Sequence, residues 1–522
     1  MIQRVNLRLD PKTAADEQLR CRQAARMAGV GPERIVRCDL IRRSIDARQR
    51  RIMVNITLDL HIDTEDKRDA LVPEPPHYSD VSNAPQAVVV GAGPAGLFAA
   101  LELIELGIRP IVIERGKDVD ERRRDMAAIS RTQTVDPESN YCFGEGGAGA
   151  FSDGKLYTRS TKRGPADKVL QLLYHHGARR DILVDSHPHI GTDRLPDVIK
   201  NIRHTIEKNG GCVLFRHKAT DLIIGENGTA EGVVLSDGSR IAGPVILATG
   251  HSARDVYQML RRHDIEMHPK GIAVGVRLEH PQQLIDRIQY HNPQGRGKYL
   301  PPAEYSMLCR VDNRAVYSFC MCPGGFIIPA ASDNGQLVVN GMSPSNRGTR
   351  WANSGMVVEV LPEDIPGEDP LKMLDFQAGI EQKFYEAAGK TQRAPAQRMT
   401  DFVDGQLSDT LPQSSYAPGV LSARVDQLLP PQVTKRLQNG FREFGRKARG
   451  FLTHEAIVIG DETRTSAPVQ LPRHNDSLQH VSVAGLYPCG EGAGHAGGIV
   501  SAAVDGIRCA RALVAEIADI TK

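Results

Sequence analysis

A chain of 522 residues, 40% of them apolar and 25% charged, has the balance of a globular protein and room for roughly three domains of ~150 residues. Its 65 Lys and Arg nearly cancel its 63 Asp and Glu, and the net charge of +2 leaves no one-signed field that demands a nucleic-acid or membrane partner. No run approaches the ~18 apolar residues of a membrane span, and the start MIQRVNLRLD lacks an apolar leader core. The nine scattered cysteines suit reduced thiols, so a cytoplasmic protein is expected.

Residues 1–70 read as a small α+β unit. Strands are expected at 5–9, 34–38 and 51–62, the last alternating as Ile52, Val54, Ile56, Leu58 and Leu60, with a helix over 17–28. The proline-rich run from Leu71 to Pro76 opens an extended linker over 71–85. From Gln86 the texture turns to α/β and holds to about 274. Residues 275–465 carry short strands and many prolines without a βαβ repeat, and residues 466–522 return to a strand, a glycine loop and a helix. A nucleotide-binding pattern that is left and later resumed implies a split domain with an insertion.

Within 86–114 every part of a dinucleotide fingerprint stands in order. The buried-strand run Ala87-Val88-Val89-Val90 leads into Gly91-Ala92-Gly93-Pro94-Ala95-Gly96, a helix to Leu106, and a second strand ending in Glu114 and Arg115. Gly91 permits the tight turn, Gly93 lets the backbone approach a pyrophosphate, and Gly96 allows close helix–strand packing. The helix start offers N–H groups and a positive dipole end to the phosphates. Glu114 suits the hydroxyls of an adenosine ribose and repels a 2′-phosphate there.

Three later segments bear on which dinucleotide is bound. They are a hairpin turn at 235–239, the strand Pro244-Val245-Ile246-Leu247-Ala248 running into Thr249-Gly250, and Pro488-Cys489-Gly490-Glu491-Gly492 leading to Gly497-Gly498-Ile499 and a helix over 500–515. This combination resembles the glutathione-reductase-type FAD superfamily. The resemblance implies FAD as cofactor, with Glu491 holding the ribitol chain where aspartate is usual. The helix after Gly498 would face the pyrimidine edge of the flavin, where its dipole favours the reduced anion.

A closer resemblance rests on Phe143-Gly144-Glu145-Gly146-Gly147-Ala148-Gly149-Ala150-Phe151-Ser152-Asp153-Gly154-Lys155, Ser318-Phe319-Cys320-Met321-Cys322-Pro323-Gly324-Gly325, Asn340-Gly341-Met342-Ser343, Glu462-Thr463-Arg464-Thr465-Ser466 and, near the start, Arg43-Ser44-Ile45-Asp46-Ala47-Arg48. It is to a family of uncharacterised bacterial FAD-dependent dehydrogenases and covers almost the whole chain. The fold it implies is a Rossmann-type α/β FAD-binding domain with an inserted mixed α+β substrate domain and a small N-terminal α+β domain.

The chemistry has several candidates. Gly146, Gly147, Gly149 and Ser152 can form an anion nest around the cofactor, with Lys155 beside the flavin. Arg464 offers a fork of donors to an anionic substrate or the flavin, or serves a domain-interface salt bridge. His495, inside the last glycine loop, is a proton-donor candidate, or a loop residue bonded to backbone. Cys320 and Cys322, two apart on a strand, would face one side and read as structural thiols; Cys489 borders the flavin motif. No metal site is expected, because His187 and His189 lack completing ligands and 189–193 reads better as a turn capping a helix over 194–208. Arg122, Arg123 and Arg124 could touch the phosphates or lie on a helix surface, and the basic stretch 435–449 reads as a solvated face.

The expected function is FAD-dependent hydride transfer between flavin N5 and a small-molecule substrate, with NAD(P)H visiting transiently or a protein as electron donor. Alternatives are a non-catalytic flavin-binding module with a partner-binding N-terminal arm, or a flavin enzyme acting on nucleic acid through Arg42, Arg43, Arg48, Arg50 and Arg51.

Overall fold

A computed structural model describes residues 1–64, 71–157 and 164–520. The N-terminal sheet has three antiparallel strands, with Met53–Ile62 between Ile2–Leu9 and Ile35–Asp46. The alternating run buries Val54, Ile56, Leu58, Leu60 and Ile62 on one face, where Ala24 of the helix Glu17–Ala28 joins the same core. That helix starts under the Asp16 carboxylate, which accepts from Leu19 N at 3.0 Å, and stops at Gly29 with φ +69°. The strand expected at 34–38 runs on to Asp46. Its alternation is broken by register shifts between Ile35 and Arg37 and between Leu40 and Arg42, which hide its length from a period-two reading.

The central sheet is wholly parallel, in the order Leu486–Pro488, Val245–Leu247, Gln86–Val90, Arg109–Glu114, Cys212–Phe215. From Gln86–Val90 the chain steps to one side for two strands and then crosses to the other for two more. The switch point therefore lies beyond the carboxyl ends of Gln86–Val90 and Val245–Leu247, where a doubly wound sheet opens a crevice for ligand. Pro94–Glu105 and Ile499–Ile520 pack against each other so tightly that a Cβ on Gly506 would sit 2.0 Å from the Ala95 carbonyl oxygen. The expected turn at 235–239 joins Ala230–Leu235 to Arg240–Ala242, with Gly238 at φ +84°.

The middle of the chain builds a seven-stranded sheet. Its order is Leu308–Val311, Arg314–Cys322, Trp351–Val360, Ile272–Pro281, Ile457–Glu462, Ala394–Arg398, Val420–Ser422, antiparallel except for the last pair. The helix Pro431–Lys447 lays Val433, Leu437, Phe441 and Phe444 into the core beneath it and turns Lys435, Arg442, Arg446 and Lys447 to solvent. The turn at 189–193 does not cap its helix. Leu195–Lys208 begins without a side-chain cap, and Asp193 instead accepts from Ser345 N and Oγ at 2.6 and 2.7 Å. Among the described residues no helix is long and apolar enough to cross a membrane.

Candidate functional site

The glycines of the first turn occupy three different environments. Gly91 has φ +108°, and a Cβ there would lie 2.4 Å from Ala248 O, so this turn is pressed against the strand end that leads into Thr249 and Gly250. Gly96 is closed as well, since its Cβ would fall 1.8 Å from Gly91 O. Gly93 is open: nothing comes nearer to its Cβ position than Gly147 Cα at 4.0 Å, and the helix that follows has no side-chain cap. Open space beside an uncapped helix start fits a pyrophosphate.

The second glycine loop folds onto this turn. Gly146 N donates to Ala92 O at 2.7 Å, and a Cβ on Gly149 would touch both Pro94 Cγ at 3.3 Å and Ile499 Cγ1 at 3.4 Å. The starts of the two helices and the loop thus meet at one point. Ser152 turns back on the loop, donating to Gly149 O at 2.8 Å and accepting from Gly154 N at 3.0 Å.

Glu114 is buried, and its carboxylate accepts from Ala92 N, Gly116 N and Gly144 N at 2.9–3.0 Å. It ties the two glycine loops together, and two carboxylate oxygens with about four acceptor positions leave room for a ribose hydroxyl. Arg115 stacks on the Phe143 ring at 4.3 Å and pairs with Glu138 and Asp255 at 2.6 and 2.9 Å.

Arg122 is neither at a phosphate nor on a surface. Fully buried, its guanidinium donates to the carbonyls of Asn140, Glu145 and Gly147. Burial pulls its pKa down to about 10. The side chain fixes the shape of the loop from within. Only its place in a run of three arginines on an amphipathic helix hinted that one of them points inward.

The C-terminal segment arrives from the other side. A Cβ on Gly490 would meet Ala95 Cβ at 2.9 Å, and one on Gly492 would meet Gly250 O at 2.4 Å. Gly497 and Gly498 have nothing within 4 Å of their Cβ positions, so the approach to Ile499 is an open cradle. Asp505 accepts from Gly490 N at 2.8 Å and pairs with Arg473 at 2.6 Å, while Arg473 also reaches Cys509 Sγ at 3.5 Å. A guanidinium therefore already serves the buried cluster of Cys489, Asp505 and Cys509.

Burial pushes the Glu491 carboxyl up to about 7, against the pull of the Lys270 ammonium. The folded cofactor-free protein therefore holds a proton that the unfolded chain releases in the ordinary carboxylate range. The resulting stability is complete below that range and is lost as pH rises through about 7. Thermal melts of the cofactor-free protein from pH ~5 to ~8 should show this loss, and Glu491→Gln should reduce it, the remainder coming from Glu462, which burial also raises to about 7. Equal slopes in the two proteins would place the titration elsewhere.

Two candidate catalytic groups are already committed within the protein. Arg464 is buried and directs its donors at Glu381, at Ser252 and Ser332, and at Gln336, and it also lines a cavity with Ser152 and Glu462. His495 is tethered through Nε2 to Leu471 O at 2.9 Å, the backbone bond that is its alternative reading, and burial lowers its pKa.

Lys155 reaches across to the seven-stranded sheet. Its Nζ donates to Met321 O and lies 3.9 Å from Cys320 Sγ, 3.8 Å from Cys322 Sγ and 3.6 Å from Asp153. Strand alternation does not govern those cysteines, because Cys320 has φ +45° and the register slips between Phe319 and Cys322. Beneath them lies Arg277, fully buried and unremarked in the sequence, which bonds Glu462, Asn353, Cys320 O and Cys322 Sγ. The available signal was an arginine inside the otherwise apolar run of residues 272–278.

A family model described as FAD binding domain matches residues 85–136. One described as FAD-dependent protein, C-terminal domain-like, matches 271–465, and a domain of unknown function matches 1–61. With the geometry above, these matches define a FAD-binding protein, and FAD is its cofactor. An uncharacterised protein of Clostridium beijerinckii is 41% identical over 533 residues, covering 98% of each chain. The chain belongs to the same family as that protein. Among solved structures it is similar to a geranylgeranyl bacteriochlorophyll reductase-like protein of Thermoplasma acidophilum, at 14% identity and a TM-score of 0.36 over 84% of this chain and 79% of the other. It is also similar to CtdE in complex with FAD, at 10% identity and a TM-score of 0.30 over 84% and 92%.

Proposed function

We propose that this protein is a FAD-dependent oxidoreductase of the glutathione-reductase type, acting in the cytoplasm on a small-molecule substrate. Its FAD domain comprises residues 86–274 and 466–522, the substrate domain is inserted at 275–465, and the N-terminal unit of 1–70 is joined by the linker 71–85. One observation carries the reading. The crevice formed by Gly93, Gly149 and Ile499 adjoins a cavity walled by Ala148, Phe151 and Ser152 on one side and by Asn340, Gly341 and Glu462 on the other. A cavity between a cofactor cradle and a second sheet is where a substrate meets a bound ring.

Bound FAD supplies hydride acceptance and donation at N5. The chain contributes the rest. The helix starting at Pro94 would hold the pyrophosphate, Glu114 and Arg115 the adenosine end, and Glu491 the ribitol hydroxyls. Thr249 and Gly250 would support the cofactor from the strand end. The helix at Ile499 would offer its positive end to the flavin, and Lys155 would supply an ammonium on the glycine-loop side.

The test is anaerobic mixing of the yellow protein with NADH, NADPH or reduced ferredoxin, followed by flavin absorbance. Bleaching by at least one donor and recovery on adding an acceptor support the reading. A protein that stays yellow with every donor is a flavin-binding module instead. The nucleic-acid reading has less support, because Arg43 is paired bidentately with Asp185 at 2.6 and 2.8 Å and Arg48 with Asp46 at 2.8 and 2.9 Å.

A further inference from the structure

We propose that Cys320 and Cys322 are a second two-electron centre, a thiolate–thiol pair that exchanges electrons with the flavin by opening and closing a disulfide. This rests on the oxidoreductase reading and deepens it. Four observations carry it.

The pair is held by two cations from different parts of the fold. Lys155 Nζ comes within 3.9 Å of both sulfurs from the glycine-loop side, and Arg277 Nη2 lies 3.4 Å from Cys322 Sγ from within the sheet. Positive charge beside a sulfur favours the thiolate, the nucleophilic form. Cys142 and Cys509 each meet one guanidinium, at 3.7 and 3.5 Å, whereas this pair meets an ammonium as well.

The backbone is also shaped for closure. Two cysteines at positions i and i+2 of a regular strand lie about 6.7 Å apart, near the upper limit for a disulfide. Here the three steps from Phe319 to Cys322 match only the two from Gly355 to Asn353, so the chain is compressed, and Cys320 takes the left-handed φ of +45°. That conformation is strained for a non-glycine residue, and such strain collects at working sites.

Access differs between the two sulfurs in the sense the chemistry needs. Cys320 is partly exposed, whereas Cys322 is buried and donates to Cys320 O at 3.4 Å. Cys320, the more accessible residue, would supply the attacking sulfur and Cys322 the resolving one. The hydrogen bond between the two thiols, with burial, holds Cys322 well above the ordinary thiol range; the same bond, with Lys155 and Arg277, holds Cys320 well below it against the opposing effect of burial.

The pair is linked to the cavity through its neighbours. Arg277, which bonds Cys320 O, holds Asn340 and Glu462 with its other nitrogen, and both of these line the cavity opposite Ser152. Lys155 comes from the loop that also supplies Ala148 and Ser152. The sulfurs thus lie behind residues that line this wall, and Cys320 is close enough to Glu491 for its charge to act on that carboxyl.

The step balances with the cofactor as partner. The Cys320 thiolate and the Cys322 thiol lose two electrons and one proton as the S–S bond forms. Oxidised FAD takes up both electrons and that proton to give the reduced hydroquinone anion.

The experiment uses the full-length holoprotein. Anaerobic dithionite titration of the oxidised wild type should consume four electrons per FAD, against two in Cys320→Ser and in Cys322→Ser. An independent measurement needs neither a variant nor turnover: brief iodoacetamide labelling at pH ~6.5 with peptide mass mapping should mark Cys320 first, by 10-fold or more over any other cysteine. Lys155→Met should slow that labelling by about 10-fold. Two electrons per FAD in the wild type, or Cys320 labelling no faster than the other cysteines, overturns the pair as a redox centre. Two electrons with a flavin that NADH or NADPH still bleaches sinks the dithiol alone. A flavin that no nicotinamide or ferredoxin bleaches sinks the oxidoreductase reading, and the labelling result then decides the thiolate by itself.

Discussion

A Gly93→Val protein folds to within about 1 kcal/mol of the wild type and purifies colourless. The residue has φ −77°, which valine adopts without strain, and nothing nearer than 4.0 Å stands where the new Cβ goes. The added methyls fill the one opening that the turn leaves beside the helix start, so FAD affinity drops on the order of 100-fold or more while the melting temperature of the cofactor-free protein is unchanged. Gly96→Ala gives the opposite pattern. Its Cβ lies 1.8 Å from Gly91 O, the helix must move off the sheet, and the protein is lost to aggregation before cofactor binding can be measured. Isothermal titration of each cofactor-free protein with FAD, beside its thermal melt, separates the two. If Gly93→Val keeps the cofactor, the pyrophosphate does not lie at this turn.

Arg122→Met should cost on the order of 3–5 kcal/mol and release the cofactor as a consequence. Methionine fills much of the space but donates nothing, so the carbonyls of Asn140, Glu145 and Gly147 are left buried and unpaired. The loop they belong to supplies Gly146, Gly147 and Gly149. Arg123→Met, on the exposed side of the same helix, should stay within about 0.5 kcal/mol. Chemical denaturation with flavin fluorescence as the second signal checks both, and equal stability for the two variants removes Arg122 as the organiser of the loop.

What was legible in the sequence was local. Strand, glycine turn, helix and acid at 86–114 follow one another within thirty residues, and each has a conformational signature of its own. The gathering of Gly490 and Gly492 against Ala95 and Gly250 was accessible only because those glycines sit in a recognisable motif. The side chains around the reaction cavity were not legible. Nothing near Arg464 in the sequence announces Glu381, eighty-three positions earlier, which accepts two of its bonds. The two cysteines obey strand alternation until the partner strand forces a bulge on them. A bulge is set by the register of two paired strands, which no single stretch of sequence declares.

The carboxyl-terminal helix docks on the first helix of the same sheet, where Arg511 meets Glu102 across 409 positions. At a synthesis rate of ~5–20 residues per second, the first half of the cradle waits on the order of tens of seconds for its other half to leave the ribosome. During that interval Val245–Leu247 has no neighbour on its outer side, since Leu486–Pro488 has yet to be made. Both halves of the cradle can meet only once the stretch from Leu486 to Ile499 has emerged, and a nascent chain arrested before residue 486 leaves Val245–Leu247 as an open sheet edge.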